Sequence, residues 1–239
     1  MVRHTLIIDF DSTLITVESL DELARIALES RSDQASILIQ LKSICTQAMA
    51  GELAFDESLR RRLRLFCASQ SHVERVAIDL LSKVSPSALA IRDWLHEYRE
   101  NIYVISGGFA DYMVPVIELL GLDSTKLFAN SFLYDSYDNI ADYDPACLLS
   151  QAQGKVKQVL ALELPGPTIV VGDGYADYEI KAYGAAEQFW ALTETVHRPQ
   201  VTAKADKVLK DFYEVQSLID SFNMHTSGET AKKLSVQLP

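Results

Sequence analysis

Residues 5–14, TLIIDFDSTL, place two aspartates directly after a short apolar run. Residues 6–8 are large and mostly β-branched, and the turn-forming residues that follow predict that this run is a short buried strand. Asp9 and Asp11 then stand at the carboxyl end of the strand, and in an open α/β sheet that end faces the ligand-binding crevice. The alternative is purely structural: an Asx turn closes the strand, and each carboxylate accepts a backbone N–H group.

The composition predicts a soluble globular protein with one sizeable core and a smaller accessory unit. The chain has 239 residues, of which 48% are hydrophobic, and its formal net charge is −11 at pH 7. This charge argues against nucleic acid or an anionic membrane as a partner, because clustered lysine and arginine side chains bind phosphate backbones. No apolar run reaches the roughly 18 residues of a membrane span, and the run before Asp9 is too short for a signal peptide. We therefore expect a cytoplasmic protein.

The cysteines and histidines show no pattern typical of metal ligands. Cys45, Cys67 and Cys147 are far apart and form no CxxC motif, as expected for the reduced thiols of a cytosolic protein. The five histidines show no HxxxH or similar spacing. Any bound metal ion is therefore expected to have oxygen ligands.

Helical and strand patterns divide the rest of the chain. No convincing strand occurs in residues 15–85, where a Ser-x-x-Glu capping box at residues 19–22 begins a series of helices. Pro86 ends this segment. Beyond it, the pattern predicts helices near residues 88–98 and 212–222 and buried strands at residues 102–105, 168–171 and 188–191.

This alternation predicts an α/β fold with a Rossmann-like three-layer α/β/α core and a mainly parallel sheet. An all-helical cap is inserted after the first strand. The expected boundaries are a discontinuous catalytic core at residues 1–13 and 86–223, a helical cap at residues 14–85, and a polar, mobile C-terminal tail at residues 224–239.

Polar residues follow three of the predicted strands. In a parallel sheet the carboxyl ends of the strands meet at one edge, so these residues are expected to lie close together. Four aspartates at this edge repel one another, by several kcal/mol for a pair about 4 Å apart. A divalent cation relieves this repulsion, and Mg²⁺ prefers oxygen ligands together with a substrate phosphate. The candidate residues are Asp9 and Asp11, Ser106-Gly107-Gly108, and Asp173 with Asp177.

A lysine and a glycine-rich turn indicate that an anion binds at the same edge. Lys155 is expected in the first turn of a helix, where a cation opposes the helix dipole unless an anion is near. Ser106 and the backbone amides that follow it can donate hydrogen bonds to phosphate oxygens. The alternatives are a solvated surface lysine, a role for Lys157 two residues later, and a plain turn at Ser-Gly-Gly.

Taken together, these segments resemble a known family. DFDSTL, SGG, a Gly-Lys helix start and GDGYADYE, in this order and spacing, resemble the four motifs of the haloacid dehalogenase superfamily of phosphatases. The helical insertion is similar to the cap of the phosphoserine phosphatase family, with VESLDELA at residues 17–24 and AMAGELAFDESLRRRL at residues 48–63. The likeness extends from residue 1 to about residue 220.

The resemblance implies roles for the matching core residues. Asp9 is expected to be the nucleophile that forms an aspartyl phosphate, and Asp11 the acid that protonates the leaving oxygen and then activates water. Ser106, Gly107 and Lys155 are expected to bind the phosphoryl group. An anionic nucleophile that attacks a phosphate dianion needs positive charge nearby, which agrees with these roles. The implied Mg²⁺ ligands are Asp9, the backbone carbonyl of Asp11, and Asp173, with Asp177 supporting a bound water.

Substrate choice is expected to lie in the cap. On a helical wheel Arg62 falls beside the apolar face of its helix, whereas its neighbouring arginines face solvent. In the family the matching arginine binds the carboxylate of serine, and Glu18 matches the acid that binds the amino group. Met49 and Phe55 match pocket-lining positions. The alternatives are a solvated arginine, an acid favoured by the helix dipole, and ordinary cap core residues.

The sequence departs from the family in two places. Ala176 stands where the fourth motif usually has Asn or Thr, which removes a hydrogen-bonding group near the phosphate or the metal. In the lysine motif only Gly154-Lys155 matches, and Lys157 offers a second alignment.

We therefore predict a Mg²⁺-dependent phosphomonoesterase that hydrolyses O-phospho-L-serine, as a monomer or a homodimer. One alternative is the same chemistry on another small phosphate ester, or phosphoryl transfer to an alcohol. A second alternative is a catalytically weak regulatory or binding module such as a receiver domain, although a long helical insertion after the first motif is foreign to receiver domains.

Overall fold

The computed structural model describes the backbone of residues 3–235 and the side chains of residues 3–223. Within these residues the strands are β1 (Thr5–Ile8), β2 (Ile102–Phe109), β3 (Leu127–Asn130), β4 (Phe132–Tyr134), β5 (Ile140–Tyr143), β6 (Thr168–Gly172), β7 (Gln188–Leu192) and β8 (Lys207–Leu209). Six of them form one parallel sheet in the order β3-β2-β1-β6-β7-β8. β4 and β5 form a separate antiparallel hairpin. The predicted α/β class with a parallel sheet is confirmed.

The helices between β1 and β2 are α1 (Ser19–Ala27), α2 (Gln34–Met49), α3 (Phe55–Leu63), α4 (Gln70–Leu80), α5 (Pro86–Ala90) and α6 (Arg92–Tyr98). Those after β2 are α7 (Ala110–Leu119), α8 (Gly154–Leu162), α9 (Tyr175–Ala182), α10 (Pro199–Thr202) and α11 (Phe212–Ser235). Residues 15–85 thus contain helices and two isolated strand-like bridges. In residues 3–235, no helix has both the length and the apolar composition needed to cross a bilayer.

Side chains of β1 alternate between two apolar clusters. Leu6 and Ile8 belong to the larger cluster, together with Leu23 of α1. Ile7 belongs to the smaller cluster, together with Val156 of α8. Because successive side chains of a strand point to opposite faces, the sheet lies between two layers of helices. This arrangement is the predicted three-layer core.

Several observed bounds differ from the predicted ones. The helix predicted at residues 88–98 consists of α5 and α6, because Ile91 between them leaves the helical conformation (φ −102°, ψ 19°). The strand predicted at residues 102–105 continues to Phe109, so Ser106 lies inside β2. The sequence did not predict α10 or β8, which have only four and three residues.

The last helix is longer than predicted. α11 extends to Ser235, whereas the sequence pattern placed its end near residue 222. The predicted polar tail at residues 224–239 falls on residues whose side chains lie outside the described part of the chain, and residues 236–239 lie outside it altogether. The mobility of this tail stays a prediction.

The two chain segments that connect α1–α4 to the rest of the protein lie side by side. Ile15 and Val84 form an antiparallel bridge, and Ser85 N–H donates to the carbonyl of Leu14 (2.9 Å). Glu194, which follows β7, binds this crossing from the core. Its carboxylate accepts hydrogen bonds from Ser85 Oγ (2.8 Å), Ser87 N–H (3.1 Å) and Ser87 Oγ (2.5 Å). One acidic side chain therefore fixes both the crossing and the start of α5.

Replacing Glu194 with alanine is expected to destabilise the protein. The change leaves two buried hydroxyls and one N–H group without their charged acceptor, so the free energy of unfolding should fall by about 2 to 4 kcal/mol in urea denaturation. Glu97→Ala is the matched control, because Glu97 is exposed on α6, and its effect should stay within about 0.5 kcal/mol. Equal stability of the two variants would contradict the role given to Glu194.

Candidate active site

The chain turns sharply at the end of β1. Asp9 keeps an extended conformation (φ −72°, ψ 162°), and a hydrogen bond from Ile15 N–H to the carbonyl of Phe10 (3.1 Å) closes the turn that follows. Within this turn Asp11 is extended (φ −66°, ψ 138°), and Ser12 has a left-handed φ of 53°. Asp9 is only 4% exposed, and its carboxylate accepts a hydrogen bond from Phe10 N–H (2.8 Å). The turn replaces the regular strand geometry that would hold alternate residues about 6 to 7 Å apart.

Lys155 lies between two of the predicted acids. Its Nζ atom is 2.6 Å from Asp9 Oδ1 and 2.7 Å from Asp177 Oδ1, and its side chain is buried. Lys157 lies on the exposed side of α8, where its Nζ donates to Gln151 Oε1 (3.1 Å). The structure therefore brings Lys155, and not Lys157, to the carboxylates.

Three buried carboxylates form a cluster at the predicted sheet edge. Oxygen atoms of Asp9, Asp173 and Asp177 all lie within 4.8 Å of one another. Asp173 accepts hydrogen bonds from Thr13 Oγ1 (3.2 Å) and Arg198 Nε (2.8 Å). Asp177 Oδ2 accepts one from the backbone of Gly174 (3.0 Å). The side chain of Asp11 is outside this cluster.

Burial dominates the electrostatics of the cluster. It raises the pKa of Asp9 well above its ordinary value, and the charge of Asp177 adds to this effect. Burial also raises the pKa of Asp173 to about 7, although the Arg198 guanidinium opposes it. For Lys155, burial lowers the pKa, but Asp177 and Asp9 outweigh burial and raise it above its ordinary value. The lysine is therefore protonated at neutral pH.

The donor set of this cluster fits a divalent cation. When all three carboxylates are ionised, they outnumber the two cationic groups that contact them in the described residues, those of Lys155 and Arg198. All donor atoms are carboxylate oxygens, which are the ligands that Mg²⁺ prefers. Burial raises the pKa of Asp9, and the nearby charge of Asp177 raises it further, so a cation at this point would favour the ionised carboxylate. The residues present therefore suit the predicted metal ion.

Asp11 has a different environment from the cluster. Its Oδ1 atom accepts a hydrogen bond from the backbone N–H of Ser19 (2.8 Å), the first residue of α1. Burial, followed by the charge of Glu18, raises the pKa of Asp11 to about 7, while the hydrogen bonds from Ser19 oppose the rise. The predicted capping box at residues 19–22 is wrong, because Ser19 lies inside the helix and its hydroxyl donates to Tyr112. The carboxylate of Asp11 binds this helix end instead.

The Ser-Gly-Gly segment lies next to the cluster. Ser106 is 1% exposed, and its Oγ accepts a hydrogen bond from Gly108 N–H (3.0 Å). Asn130 Nδ2 donates to the carbonyl of Gly107 (2.9 Å) and fixes the segment from β3. A Cβ atom at Gly107 would lie 2.4 Å from Cζ of Phe55, so glycine here lets an aromatic ring from α3 pack directly on the segment.

A cavity of about 500 Å³ lies between the helices of residues 19–63 and the sheet edge. Asp9 and Asp11, which follow β1, both line it. Each also accepts a backbone N–H hydrogen bond, as in a simple turn, but the two carboxylates are still accessible to a ligand. Ala176 also lines it and contributes no hydrogen-bonding side chain. Asp173 is not among the lining residues. The predicted residues that line the cavity are Asp9, Asp11, Glu18, Met49, Phe55, Arg62, Ser106, Gly107, Lys155 and Asp177.

The two predicted polar residues of the cap face this cavity. Arg62 is 7% exposed, and its Nε atom has no hydrogen-bond partner among the described residues, whereas Arg61 pairs with Glu57 at the surface. Glu18 precedes α1, and its side chain does not cap that helix in the described structure. Its carboxylate instead accepts hydrogen bonds from Ser12 Oγ (2.7 Å) and Cys45 Sγ (3.5 Å). The predicted inward position of Arg62 is confirmed.

Comparisons with known proteins agree with this geometry. The model of the haloacid dehalogenase-like hydrolases matches residues 6–180. The chain belongs to the haloacid dehalogenase-like hydrolase family.

Similar proteins indicate which kind of hydrolase this chain is. The chain is 29% identical over 218 residues to the chloroplastic phosphoserine phosphatase of Arabidopsis thaliana, covering 90% of this chain and 70% of the relative. It is 30% identical over 212 residues to the phosphoserine phosphatase of Methanocaldococcus jannaschii, covering 85% of this chain and 90% of the relative. A solved phospho-aspartyl intermediate analogue of phosphoserine phosphatase has 28% identity and a TM-score of 0.70, covering 90% of this chain and 99% of that one. The hydrolase is therefore a phosphatase.

Sequence reasoning missed some residues at the site of this phosphatase. Arg198 contacts Asp173 Oδ2 (2.8 Å) and lies 3.7 Å from Glu18 Oε1. Arg198 lies in the loop after β7. The aspartates were predicted because the carboxyl ends of parallel strands meet at one edge of the sheet, and the same reasoning points to this loop. Thr13 lies within the first motif, but no local sequence pattern indicates that its side chain contacts Asp173.

The close packing of Phe55 on Gly107 gives a testable prediction. A methyl group in Gly107→Ala must displace the Phe55 ring, so kcat/KM for p-nitrophenyl phosphate should fall about tenfold, as expected for a small misplacement at an active site. In steady-state assays a second change, Phe55→Leu, should recover part of the loss in the alanine variant. The same Phe55→Leu change in the wild type should bring no gain, and equal effects in both backgrounds would show that the two residues are not coupled.

Proposed function

We propose that the protein is a Mg²⁺-dependent phosphomonoesterase that hydrolyses O-phospho-L-serine to L-serine and phosphate. One observation carries the proposal: a single cavity is lined by the Asp9–Lys155 pair and by the oppositely charged Glu18 and Arg62. The first pair suits phosphoryl chemistry. The second suits the carboxylate and the ammonium group of an amino acid. The phosphoserine phosphatases among the relatives support the same substrate.

Asp9 is the proposed nucleophile. Its carboxylate attacks the phosphorus atom, the bond from phosphorus to the serine oxygen breaks, and an aspartyl phosphate forms. Lys155, 2.6 Å from Asp9 Oδ1, supplies positive charge as the phosphoryl group arrives. Ser106 Oγ and the backbone amide of Gly107 bind the phosphoryl oxygens from the side of β2. The similarity to a phospho-aspartyl intermediate analogue of a relative supports this step.

Asp11 is the proposed acid and base. It donates a proton to the departing serine oxygen, so that neutral serine leaves. The resulting carboxylate then takes a proton from water, whose oxygen attacks phosphorus and releases phosphate and free Asp9. The hydrogen bond from Ser19 N–H to Asp11 Oδ1 keeps this side chain away from the cluster of Asp9, Asp173 and Asp177.

The proposed Mg²⁺ ligands are Asp9, Asp173 and the backbone carbonyl of Asp11, with Asp177 supporting a bound water. When bound, Mg²⁺ neutralises charge on the transferring phosphoryl group. Arg198 and Thr13 hold the Asp173 carboxylate in place for this role. The cluster of buried carboxylate oxygens supports the proposal.

Arg62 and Glu18 are the proposed recognition residues for serine. A guanidinium group binds a carboxylate through two parallel hydrogen bonds, and the buried Nε atom of Arg62 lacks a partner among the residues described. Glu18 offers a carboxylate to the substrate ammonium group. Met49 and Phe55 form apolar walls of the cavity.

We also propose that residues 14–85 act as a cap over a core of residues 1–13 and 86–223. Phe55 packs on Gly107, and the Sδ atom of Met49 lies 3.1 Å from the position of a Cβ atom at Gly174, so cap and core touch around the cavity. The oligomeric state and the cytoplasmic location stay predictions, and the free thiols of all three cysteines agree with the latter.

Loss of the nucleophile tests the chemistry. Asp9→Asn should lower kcat for phosphoserine by at least about 10³-fold, because an amide cannot form the aspartyl phosphate. In a phosphate-release assay, wild-type activity should disappear in EDTA and return with excess Mg²⁺. Full activity of Asp9→Asn, or of the wild type in EDTA, would show that the proposed mechanism is wrong.

Loss of Arg62 tests the substrate. Arg62→Ala removes the partner of the substrate carboxylate, so kcat/KM for phosphoserine should fall roughly 10²-fold, whereas p-nitrophenyl phosphate should change less than about threefold. Arg61→Ala is the matched control, since Arg61 lies next to it on α3 but pairs with Glu57 at the surface. Equal losses on both substrates in Arg62→Ala would reject the carboxylate role.

A further inference from the structure

The proposed acid Asp11 is held by a residue that begins the next helix. Ser19 N–H donates to Asp11 Oδ1 (2.8 Å), and Asp11 lines the cavity. A Cβ atom at Gly108 would lie 3.1 Å from Asp11 Oδ2 and 3.3 Å from Ser19 Oγ. The carboxyl of Asp11 and the hydroxyl of Ser19 therefore share the space left by this glycine. The orientation of the acid follows the position of Ser19.

The hydroxyl of Ser19 is itself bound to the core of the protein. Its Oγ donates to the hydroxyl oxygen of Tyr112 on α7 (3.0 Å), and both residues are 0% exposed. The ring of Tyr112 packs edge-on against Phe109 and Phe132, each with a centroid separation of 6.2 Å. This packing holds the Tyr112 ring in place, so its hydroxyl sets the position of the first residue of α1 relative to β2 and α7.

We propose that Tyr112 and Ser19 are positioning residues that orient Asp11 for proton transfer, an inference that rests on the acid role given to Asp11 under the proposed function. Neither Ser19 nor Tyr112 is among the residues that line the cavity. Tyr112 locates Ser19 through the hydroxyl pair, and Ser19 locates Asp11 through its backbone N–H. A general acid must lie within hydrogen-bond reach of the leaving oxygen, and a shift of about 1 Å in such a group is costly.

A purely structural role for the hydroxyl pair makes a different prediction from a positioning role. If the pair only stabilises the packing of α1 on α7, its loss lowers the free energy of unfolding. Any change in kcat/KM is then the same for all substrates. If it orients the acid, its loss lowers kcat/KM only where the leaving group needs a proton, because kcat/KM reports formation of the aspartyl phosphate and not the later hydrolysis that both substrates share. Serine is such a leaving group, whereas p-nitrophenolate departs as a stable anion. The ratio of kcat/KM for the two substrates therefore separates the two roles.

The test compares Tyr112→Phe and Ser19→Ala on phosphoserine and p-nitrophenyl phosphate with Mg²⁺ present. Each variant should lose about fivefold to tenfold in kcat/KM for phosphoserine and less than about twofold for p-nitrophenyl phosphate. The double variant should lose no more than either single one, because both remove the same interaction. Tyr98→Phe is the matched control, since the buried Tyr98 hydroxyl donates to the carbonyl of His4 (2.8 Å) and Tyr98 does not line the cavity.

Each outcome supports or overturns the inference. A loss confined to phosphoserine in both variants, with the control unchanged, supports it. Equal losses on both substrates, or no loss, would overturn it. Asp11→Asn is measured alongside: if that variant shows the selective loss and Tyr112→Phe does not, the positioning inference alone is wrong. If Asp11→Asn itself shows no selective loss, the acid role in the proposed function is wrong.

Discussion

The architecture of the site depends on one electrostatic constraint, the burial of three carboxylates within 4.8 Å of one another. Buried charge is costly unless it is paired, and removing one partner of a buried pair leaves the other uncompensated. Lys155 compensates Asp9 and Asp177, and Arg198 compensates Asp173. Both cations come from segments distant in sequence from β1. The tertiary fold must therefore be complete before the charges of the site are balanced.

The parallel sheet satisfies this constraint through its register. β1 pairs with β6 so that Ile8 is opposite Val171, which places Asp9 and Asp173 just beyond the same edge. α8 and α9 both begin at this edge and bring Lys155 and Asp177 to the same point. Because backbone hydrogen bonds of the sheet fix these positions, the groups are arranged before any substrate binds, which is what efficient phosphoryl chemistry requires.

The sequence predicted the parts of this site that follow a local rule and missed those that depend on packing. Asp9, Asp173 and Asp177 were found because polar residues follow apolar strands. Lys155 was found because a cation is unusual in the first turn of a helix. The capping box at residues 19–22 was wrong because Ser19 finds a partner in Tyr112, 93 positions away, and the local pattern contains no information about that contact. Arg198 was missed for a similar reason. The end of β7 points to the loop that carries Arg198, but the contact of Arg198 with Asp173 depends on β7 lying beside β6, which only the strand order reveals.

The position of Asp11 connects the core to the helices that carry the proposed substrate-recognition residues. β1 and α1 are separated by a short turn, so the acid, Glu18 and the start of α1 lie in one continuous segment. Glu18 accepts a hydrogen bond from Ser12 in the same turn (2.7 Å), and Asp11 accepts one from Ser19 (2.8 Å). These two crossed hydrogen bonds couple the orientation of the Glu18 carboxylate to that of Asp11. Under the proposed function, a substrate ammonium group that binds Glu18 would act on the same turn that presents Asp11 to the leaving oxygen.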